Sequence, residues 1–250
     1  MKQKKIYIYG KHSVTEALTH APHIVRSIAL SPQMEDRGLK DLIRARGVPT
    51  EKIDERKATS QVEGNAPHQG VIALISLTEL VVPFEKFFDT FNPTSDTCLV
   101  LLSDVQDPHN VGAIIRSAAA FGATAVLMPT HHQAPVTGVV IKTSAGMAFR
   151  LPLVTMDNMQ QAIAEIKKKG VKVYGLTGDG KTSLDTETFT TPTLFVFGNE
   201  GEGIAPAAKV LCDTMLSIPI HPRTESLNVA ASAAVVLHAW STQHSGAIKG

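Results

Sequence analysis

The sequence is poor in the features that mark secreted and membrane proteins. Its two cysteines, Cys98 and Cys212, form neither a disulfide framework nor a metal-ligand spacing. No apolar run approaches the roughly 18 residues that a membrane span requires. The basic start 1–5 is followed by only a short strand-like stretch, Ile6–Tyr9, which is too short for the apolar part of a signal peptide. We therefore expect a cytoplasmic protein with no metal and no membrane partner.

The chain also lacks a large net charge, which is +1 for 250 residues, but the charges are unevenly distributed. Residues 1–78 hold 12 Lys and Arg against 8 Asp and Glu, whereas residues 79–250 hold 12 against 15. A basic part beside an acidic part suggests a module that faces a polyanion, joined to a second module. Ordinary scatter of surface charge is the alternative.

Strands and helices alternate along most of the sequence, which predicts an α/β fold with a mainly parallel sheet and helices on both faces. Residues 1–78 read as a small α/β domain. Residues 79–97 carry prolines and four phenylalanines and read as a linker with one short amphipathic helix. Residues 98–250 form the larger unit, whose continuous apolar run Leu99–Leu102 is typical of a strand covered on both faces.

Three polar segments each follow a predicted strand of the larger unit. They are 110–116 after strand 98–102, 198–203 after strand 194–197, and 226–230 after strand 216–220. In an open α/β sheet, ligands bind outside the carboxyl ends of the strands. We therefore expect the three segments to form one composite site.

Each segment also has a simpler interpretation. Arg116 suits a phosphate or carboxylate because its fork of donors stays charged, but it could face solvent or pair with Glu200. The glycine-rich segment 198–203 carries two glutamates, which suit a cationic ligand and not a phosphate, yet it could be a surface turn. Ser226 or Asn228 could simply cap the closing helix.

A complete phosphate-loop pattern is present at Gly175–Thr182, directly after a predicted strand. Such a loop needs a helix immediately after it, whose first amides hold the phosphate. The continuation Ser183–Pro192 is rich in hydroxyl residues and ends in proline, which is a poor helix sequence. We therefore interpret the match as a coincidence. A P-loop NTPase remains as an alternative function.

Taken in order, the three segments resemble the SpoU (TrmH-like) family of RNA ribose 2'-O-methyltransferases. Asn110-x-Gly112-x-x-x-Arg116 is similar to the first family motif, Phe197–Gly203 to the second, and Ile218–Ile220 with Ser226–Val229 to the third. The segment 142–146 is also similar to a family segment. The resemblance spans roughly residues 98–242, and three motifs in order are more specific than any one of them.

The amino-terminal part resembles the small substrate-binding domain of one branch of this family, through Tyr9-Gly10-x-His12 and 68–71. The two-domain layout resembles that of family members that act on a guanosine ribose of 23S ribosomal RNA, which implies that substrate, with transfer RNA as the alternative. One departure is His221-Pro222-Arg223, where relatives often carry a glycine-bearing loop.

The resemblance implies S-adenosylmethionine (SAM) as methyl donor, a homodimer and a knotted (SPOUT-type) parallel sheet with a trefoil knot. Knots are nearly absent among folds. The residues it implies around the cofactor are Leu176, Gly198, Gly203, Ile218 and Leu227. The residues it implies for catalysis are Arg116, Asn110, Glu200, Ser226 and Asn228. By the same resemblance we expect Arg116 to bind the reacting ribose and its neighbouring phosphate, and we expect Glu200 to orient Arg116. A non-catalytic RNA-binding protein is the other alternative.

Overall fold

The computed structural model describes residues 4–54, 62 and 67–248, and within these the strands form two sheets. The smaller sheet has the order β1-β4-β2-β3 and the larger one the order β10-β12-β9-β11-β6-β7-β8-β5. The strands of the smaller sheet are β1 Lys5–Tyr9, β2 Val25–Leu30, β3 Thr50–Lys52 and β4 Val71–Ser76. Those of the larger sheet are β5 Val81–Pro83, β6 Cys98–Leu102, β7 Ala125–Pro129, β8 Leu153–Met156, β9 Lys172–Leu176, β10 Thr182–Ser183, β11 Thr193–Phe197 and β12 Thr214–Ser217.

The helices of the described residues connect these strands in chain order. They are α1 Lys11–His20, α2 Arg37–Arg46, α3 Leu77–Leu80, α4 Phe84–Thr90, α5 Pro108–Ala120, α6 Gly138–Thr143, α7 Met159–Lys168, α8 Pro206–Lys209, α9 Val229–Gln243 and α10 Ser245–Ile248. Two short 3-10 turns add Pro22–Ile24 and Met147–Phe149. The predicted α/β class is confirmed.

Every strand pair of the larger sheet is parallel. Its central strands are apolar throughout: β6 and β11 are buried over their whole length. Such strands must be covered on both faces, and two clusters of buried apolar side chains lie on the two sides. Parallel strands bring their carboxyl ends to one edge, so the loops after β6, β9, β11 and β12 meet there.

Local sequence signals set several helix ends. Asp36 caps α2 by accepting from the Leu39 amide at 3.0 Å, and Gly47 ends that helix in the left-handed conformation with φ 63°. Asn158 caps α7 in the same way, accepting from the Gln161 amide at 3.0 Å. A side-chain cap and a left-handed glycine therefore set the two ends of α2, and a side-chain cap sets the start of α7.

The segment 79–97, predicted as a linker, is built into the larger unit. Its strand β5 pairs in parallel with β8 at the edge of the larger sheet. Helix α4 follows, and Phe84 and Phe91 at its two ends are buried in the core. The sequence reads as a linker because β5 is short, ends in Pro83 and lies at an edge, where little apolar surface is needed.

The smaller sheet rests on residues 138–150 of the larger unit, which we call the domain seat. The seat comes close enough to exclude side chains. A Cβ atom on Gly138 would lie 2.5 Å from the Tyr7 carbonyl oxygen, and one on Gly146 would lie 2.6 Å from the Cβ of Glu16. Backbone and side chain therefore meet at contact distance at both ends of the seat.

Polar contacts hold the same interface. Arg150 donates to both carboxylate oxygens of Glu16, from Nε at 2.8 Å and from Nη2 at 3.0 Å. Glu16 is buried, whereas Arg150 is partly exposed. The His12 Nε2 lies 3.0 Å from the carbonyl oxygen of Ala145. A bidentate pair of this kind fixes orientation as well as proximity, so the seat defines one arrangement of the two sheets.

Candidate functional site

The first predicted segment begins helix α5 at the carboxyl end of β6. Pro108 is in the first turn, and the Asp107 side chain caps the helix by accepting from the His109 amide at 2.8 Å. Gly112 faces helix α6, where an added Cβ would lie 2.8 Å from the Val140 carbonyl oxygen. The backbone of α6 therefore approaches Gly112 closely, which brings the domain seat against the first motif.

Asn110 joins the three segments through its side chain. Its Nδ2 donates to Glu200 Oε1 at 2.9 Å, and its Oδ1 accepts from Asn228 Nδ2 at 3.0 Å. Asn110 is buried, and a buried amide left without partners is costly. One hydrogen-bonded chain therefore connects the first, second and third motifs, as the expectation of a composite site requires.

Both ends of this chain are anchored on backbone amides. Glu200 accepts from the amides of Gln106 at 3.3 Å and Asp107 at 3.2 Å. Asn228 Oδ1 accepts from two amides in the first turn of α9, at 2.9 and 3.3 Å. The interpretation of Asn228 as a helix cap is confirmed. The other end of the same amide donates to Asn110, and the catalytic role of Asn228 stays a prediction.

The pKa of Glu200 lies below its ordinary value. Partial burial acts to raise this pKa, but the hydrogen bonds from Asn110 and from backbone amides, including those of Asp107 and Gln106, together outweigh it. Glu200 is therefore an ionised carboxylate near neutral pH, and both of its oxygens accept hydrogen bonds from the same chain. It suits a positioning role better than that of a proton acceptor.

The second segment closes into a ring at its base. Asn199 and Gly203 exchange two backbone hydrogen bonds of 2.8 and 2.9 Å, and Gly203 has φ 69°. A Cβ on Gly198 would lie 2.3 Å from the carbonyl carbon and oxygen of Gly203, so no side chain fits there. The Asn199 side chain supports the ring, donating to the Asp104 carbonyl oxygen at 3.0 Å.

A cavity lies between this ring and the loops after β9 and β12. All five residues expected to hold the cofactor line it: Leu176, Gly198, Gly203, Ile218 and Leu227. Of the residues expected to act in catalysis, Glu200 and Ser226 line it directly. Asn110 and Asn228 reach it through their hydrogen bonds to Glu200 and to each other.

Several lining residues were not anticipated from the sequence. They are Thr177, Ile204, Lys209, Glu225 and Ser232, among others. Ile204 follows the second motif and Glu225 precedes Ser226, so widening each motif by one residue would have found these two. Lys209 lies on the short helix α8, away from any motif, and no sequence signal distinguishes it from a surface lysine.

Arg116 is not at the cavity. It is exposed on α5, two turns after Asn110, and within the described residues its side chain has no ion pair or hydrogen bond. Within the described residues Glu200 does not contact Arg116, and its oxygens accept from Asn110 and two amides instead. The suggested structural pair of Arg116 with Glu200 is therefore absent. The role of Glu200 in orienting Arg116 stays a prediction.

The phosphate-loop pattern has no helix behind it. Thr182 begins β10, which pairs with β12, and between Thr182 and Pro192 the structure has turns and no helix. A Cβ on Gly180 would lie 2.6 Å from the backbone of Leu216, so this glycine serves strand packing. Leu176, Thr177 and Gly178 line the cavity instead. The NTP-binding alternative thus loses its structural basis.

Two kinds of feature are absent from the described residues. They contain no group of three or more His, Cys, Asp or Glu side chains placed to hold a metal ion. Among their helices, none has the length and apolar character needed to cross a membrane.

Fold and site together define a parallel α/β protein with a ligand cavity at the strand ends and a small second sheet on one side. The sequence model of the SpoU rRNA Methylase family matches residues 97–238. The model described as RNA 2'-O ribose methyltransferase substrate binding matches residues 7–80. The chain therefore belongs to the SpoU rRNA methylase family.

Individual relatives agree with this placement. A Nitrosomonas europaea protein named 23S rRNA (guanosine-2'-O-)-methyltransferase RlmB is 30% identical over 241 residues, covering 96% of this chain and 92% of its own. A Xanthomonas campestris protein of the same name is 33% identical over 250 residues, covering 99% and 100%. The crystal structure of the SpoU methyltransferase AviRb from Streptomyces viridochromogenes, in complex with AdoMet, is 25% identical with a TM-score of 0.81, covering 96% and 90%.

Proposed function

We propose that this protein transfers a methyl group from SAM to the ribose 2'-hydroxyl of a guanosine in 23S ribosomal RNA. The observation that carries the proposal is the hydrogen-bonded chain Glu200–Asn110–Asn228, which joins the three family motifs beside one cavity. The names of the relatives supply the substrate class.

The cavity suits SAM in shape and charge. Apolar side chains on its walls, including Leu176, Ile218 and Leu227, fit a flat adenine ring. Glu200, Glu202 and Glu225 line it as well, and carboxylates suit a ligand that carries two positive charges, a sulfonium and an ammonium. When bound, SAM supplies an electrophilic methyl group. We assign Leu176, Gly198, Gly203, Ile218 and Leu227 to the cofactor.

The catalytic assignment divides into binding and positioning. Arg116 binds the reacting ribose and the phosphate next to it. Asn110, Glu200 and Asn228 hold the three loops in register, and Ser226 faces the substrate from the rim of the cavity. Alignment of the hydroxyl with the methyl group supplies most of the catalysis, since well-oriented reactants lose much of their barrier.

The proton of the 2'-hydroxyl needs an acceptor, and neither charged residue of the site is a good one. A guanidinium hardly gives up its proton, so Arg116 is a poor base. The Glu200 pKa is lowered and both of its oxygens accept hydrogen bonds from the same chain. We therefore assign the proton to an RNA phosphate oxygen that Arg116 orients.

The RNA reaches the site from the smaller sheet, which the basic charge balance of residues 1–78 suits. We propose that residues 1–78 form the RNA-binding domain. We also propose that the protein acts in the cytoplasm, because ribosomal RNA is the proposed substrate. The trefoil knot also stays a prediction. In the larger sheet β9 lies between β11 and β12, an order compatible with it.

We further propose that the protein works as a homodimer. Helices α5 and α9 pack together, with Phe121 and His238 in edge-to-face contact at 5.5 Å between centroids. On α9, Ala231, Val235 and His238 are exposed along one side, and Val235 is 42% exposed. We propose that a second copy covers this side of α9. Arg116 is exposed on α5 and has no partner among the described residues of its own chain.

Mapping ribose methylation in RNA from cells that lack the protein tests the substrate. The expected result is the loss of one 2'-O-methylguanosine of 23S ribosomal RNA, restored by the wild-type protein but not by Arg116→Ala. Loss of a methyl group from transfer RNA would overturn the substrate assignment. An unchanged methylation pattern would favour the non-catalytic RNA-binding alternative.

Mixing two inactive variants tests the dimer and the place of Arg116. Arg116→Ala keeps an intact cavity, whereas Leu227→Trp fills the cavity and keeps Arg116. If Arg116 completes the partner's site, mixed dimers regain about a quarter of wild-type activity, because half of them are hybrids with one complete site each. No regain, with hybrids shown by mass spectrometry, places Arg116 in its own site. Absence of any dimer overturns the proposal.

A further inference from the structure

One charged residue at the cavity is unexplained by the proposed catalysis. Among the described residues that line the cavity, Lys209 is the only one with a positive charge. It ends helix α8, its side chain is exposed, and within the described residues that side chain has no hydrogen bond or ion pair. The other charged lining residues are the carboxylates Glu200, Glu202 and Glu225.

The position of Lys209 separates it from the hydrogen-bonded motif residues. Lys209 and Thr177 line both this cavity and a second, adjacent one. Asp179 and Lys181 line only the second cavity. Asp179 has a lowered pKa, first because Thr177 donates to it and in part because of the positive charge of Lys209. The Lys209 ammonium therefore lies on the side of the cavity formed by the loop after β9.

The charges of the cofactor match the charges of the cavity, which has Lys209 on one side and three glutamates elsewhere on its walls. At neutral pH, SAM carries a sulfonium, an ammonium and a carboxylate. The glutamates can attract the two cationic groups, but they repel the carboxylate. A carboxylate bound beside three like charges needs a cation or several donors, and Lys209 is the cation that the cavity provides.

We propose that Lys209 binds the methionine carboxylate of SAM and so selects cofactors that carry the complete amino-acid end. This inference rests on the assignment of SAM to this cavity. Because the carboxylate takes no part in methyl transfer, the contact is the same in ground state and transition state. Loss of such a contact raises KM and leaves kcat unchanged.

Calorimetry with two matched ligands tests the role. Decarboxylated SAM keeps the adenosine, the sulfonium and the ammonium and lacks only the carboxylate. Lys209→Met should weaken SAM binding roughly 5- to 10-fold, the range for a charge-assisted contact that stays exposed. It should leave the affinity for decarboxylated SAM unchanged, and Lys209→Arg should restore most of the preference.

Lys181→Met is the matched control, because Lys181 lines only the adjacent cavity. It should bind both ligands as the wild type does. Three results with Lys209→Met would overturn the proposal for Lys209. They are an equal loss of affinity for both ligands, an unchanged affinity for both ligands, and a lowered kcat.

A third variant separates this outcome from a failure of the cofactor site itself. Leu227→Trp should abolish binding of both ligands, since Leu227 lines the cavity and its exposed side chain is not needed for the core. If a folded Leu227→Trp protein still binds SAM, the cavity is not the cofactor site, and both proposals fail together.

Discussion

The side-chain oxygen of Asn110 accepts a hydrogen bond from the side-chain nitrogen of Asn228 at 3.0 Å, across 118 positions of sequence. The other end of the Asn110 amide donates to Glu200 at 2.9 Å. Since Asn110 has one donor group and one acceptor group in use on opposite sides, its two ends cannot be exchanged. The direction of the chain Asn228 to Asn110 to Glu200 is thereby fixed, with the carboxylate as its final acceptor.

Asn110→Asp should be harmful although the shape is unchanged. It places a second carboxylate at the Glu200 oxygen and removes the donor. We expect lower stability than the wild type at pH 7, by about 1–3 kcal/mol, the cost of a buried partner lost, together with loss of methyl transfer. Urea denaturation measures the first effect and a methylation assay the second.

The double variant Asn110→Asp with Glu200→Gln is the control for this change. A glutamine at 200 can donate to the new carboxylate, so the hydrogen bond reforms with its direction reversed. The double variant should therefore be more stable than Asn110→Asp alone. If it is equally or less stable, the Asn110–Glu200 contact does not carry the coupling.

Glu200→Gln should change how stability depends on pH. The folded pKa of Glu200 is lowered, so the charged carboxylate stabilises the folded state above its unfolded pKa of about 4.3. This contribution is lost as the pH falls through the lower folded pKa. The variant should be less stable than the wild type at pH 7, and the difference should shrink below about pH 4.

Denaturation at a series of pH values checks this expectation. Glu202→Gln is the matched control, because Glu202 lies in the same loop, is exposed, and its carboxylate has no hydrogen bond or ion pair within the described residues. A difference between wild type and Glu200→Gln that stays constant from pH 7 to pH 3 would contradict the role given to the ionised Glu200.

Gly198→Ala should open the ring of the second motif. The new methyl group would lie 2.3–2.4 Å from backbone atoms of Gly203 and Ile204, and backbone cannot move aside as a side chain can. Overpacking of this kind costs about 1–3 kcal/mol, and SAM binding should be lost. Gly178→Ala is the matched control, because Gly178 lines the same cavity and a Cβ there would have no atom within 4 Å. This variant should bind SAM nearly as the wild type does. Calorimetry measures the SAM affinity of both variants, and thermal melting measures their stability.

Arg150→Ala should loosen the domain seat. The change leaves the buried Glu16 carboxylate without its bidentate partner. Because Arg150 is partly exposed, we expect a moderate cost of about 1 kcal/mol. Methylation of RNA should fall while SAM affinity is kept. Lys168→Ala, which breaks the exposed pair with Glu165 in the larger unit, should change neither. A fall in SAM affinity with Arg150→Ala would contradict the division of labour between the sheets.

The composite site was predictable because it follows from topology. Strand ends of a parallel sheet meet at one edge, and the polar residues after three strands are visible in the sequence. The partners within the site were not predictable. Whether Glu200 meets Arg116 or Asn110 depends on which side of α5 faces the second loop, and both residues lie on that helix. Spacing alone favours neither.

Two other features show the same limit. Strand β5 was read as linker because its three residues carry few signals, and its pairing with β8 depends on residues about 70 positions away. Lys209 gave no signal because an exposed lysine on a short helix is ordinary in any sequence. Its meaning comes from the carboxylates around the cavity, which reach it from two other loops.

The domain seat has a consequence for the order in which the protein is made. The smaller sheet is complete once β4 ends at Ser76, whereas the seat that receives it extends to Arg150. Domains generally fold as units during synthesis, the amino-terminal one first. We therefore expect the smaller sheet to emerge from the ribosome and fold before its docking surface exists. The Glu16 carboxylate is solvated in that interval, and it is buried only when Arg150 arrives to pair with it.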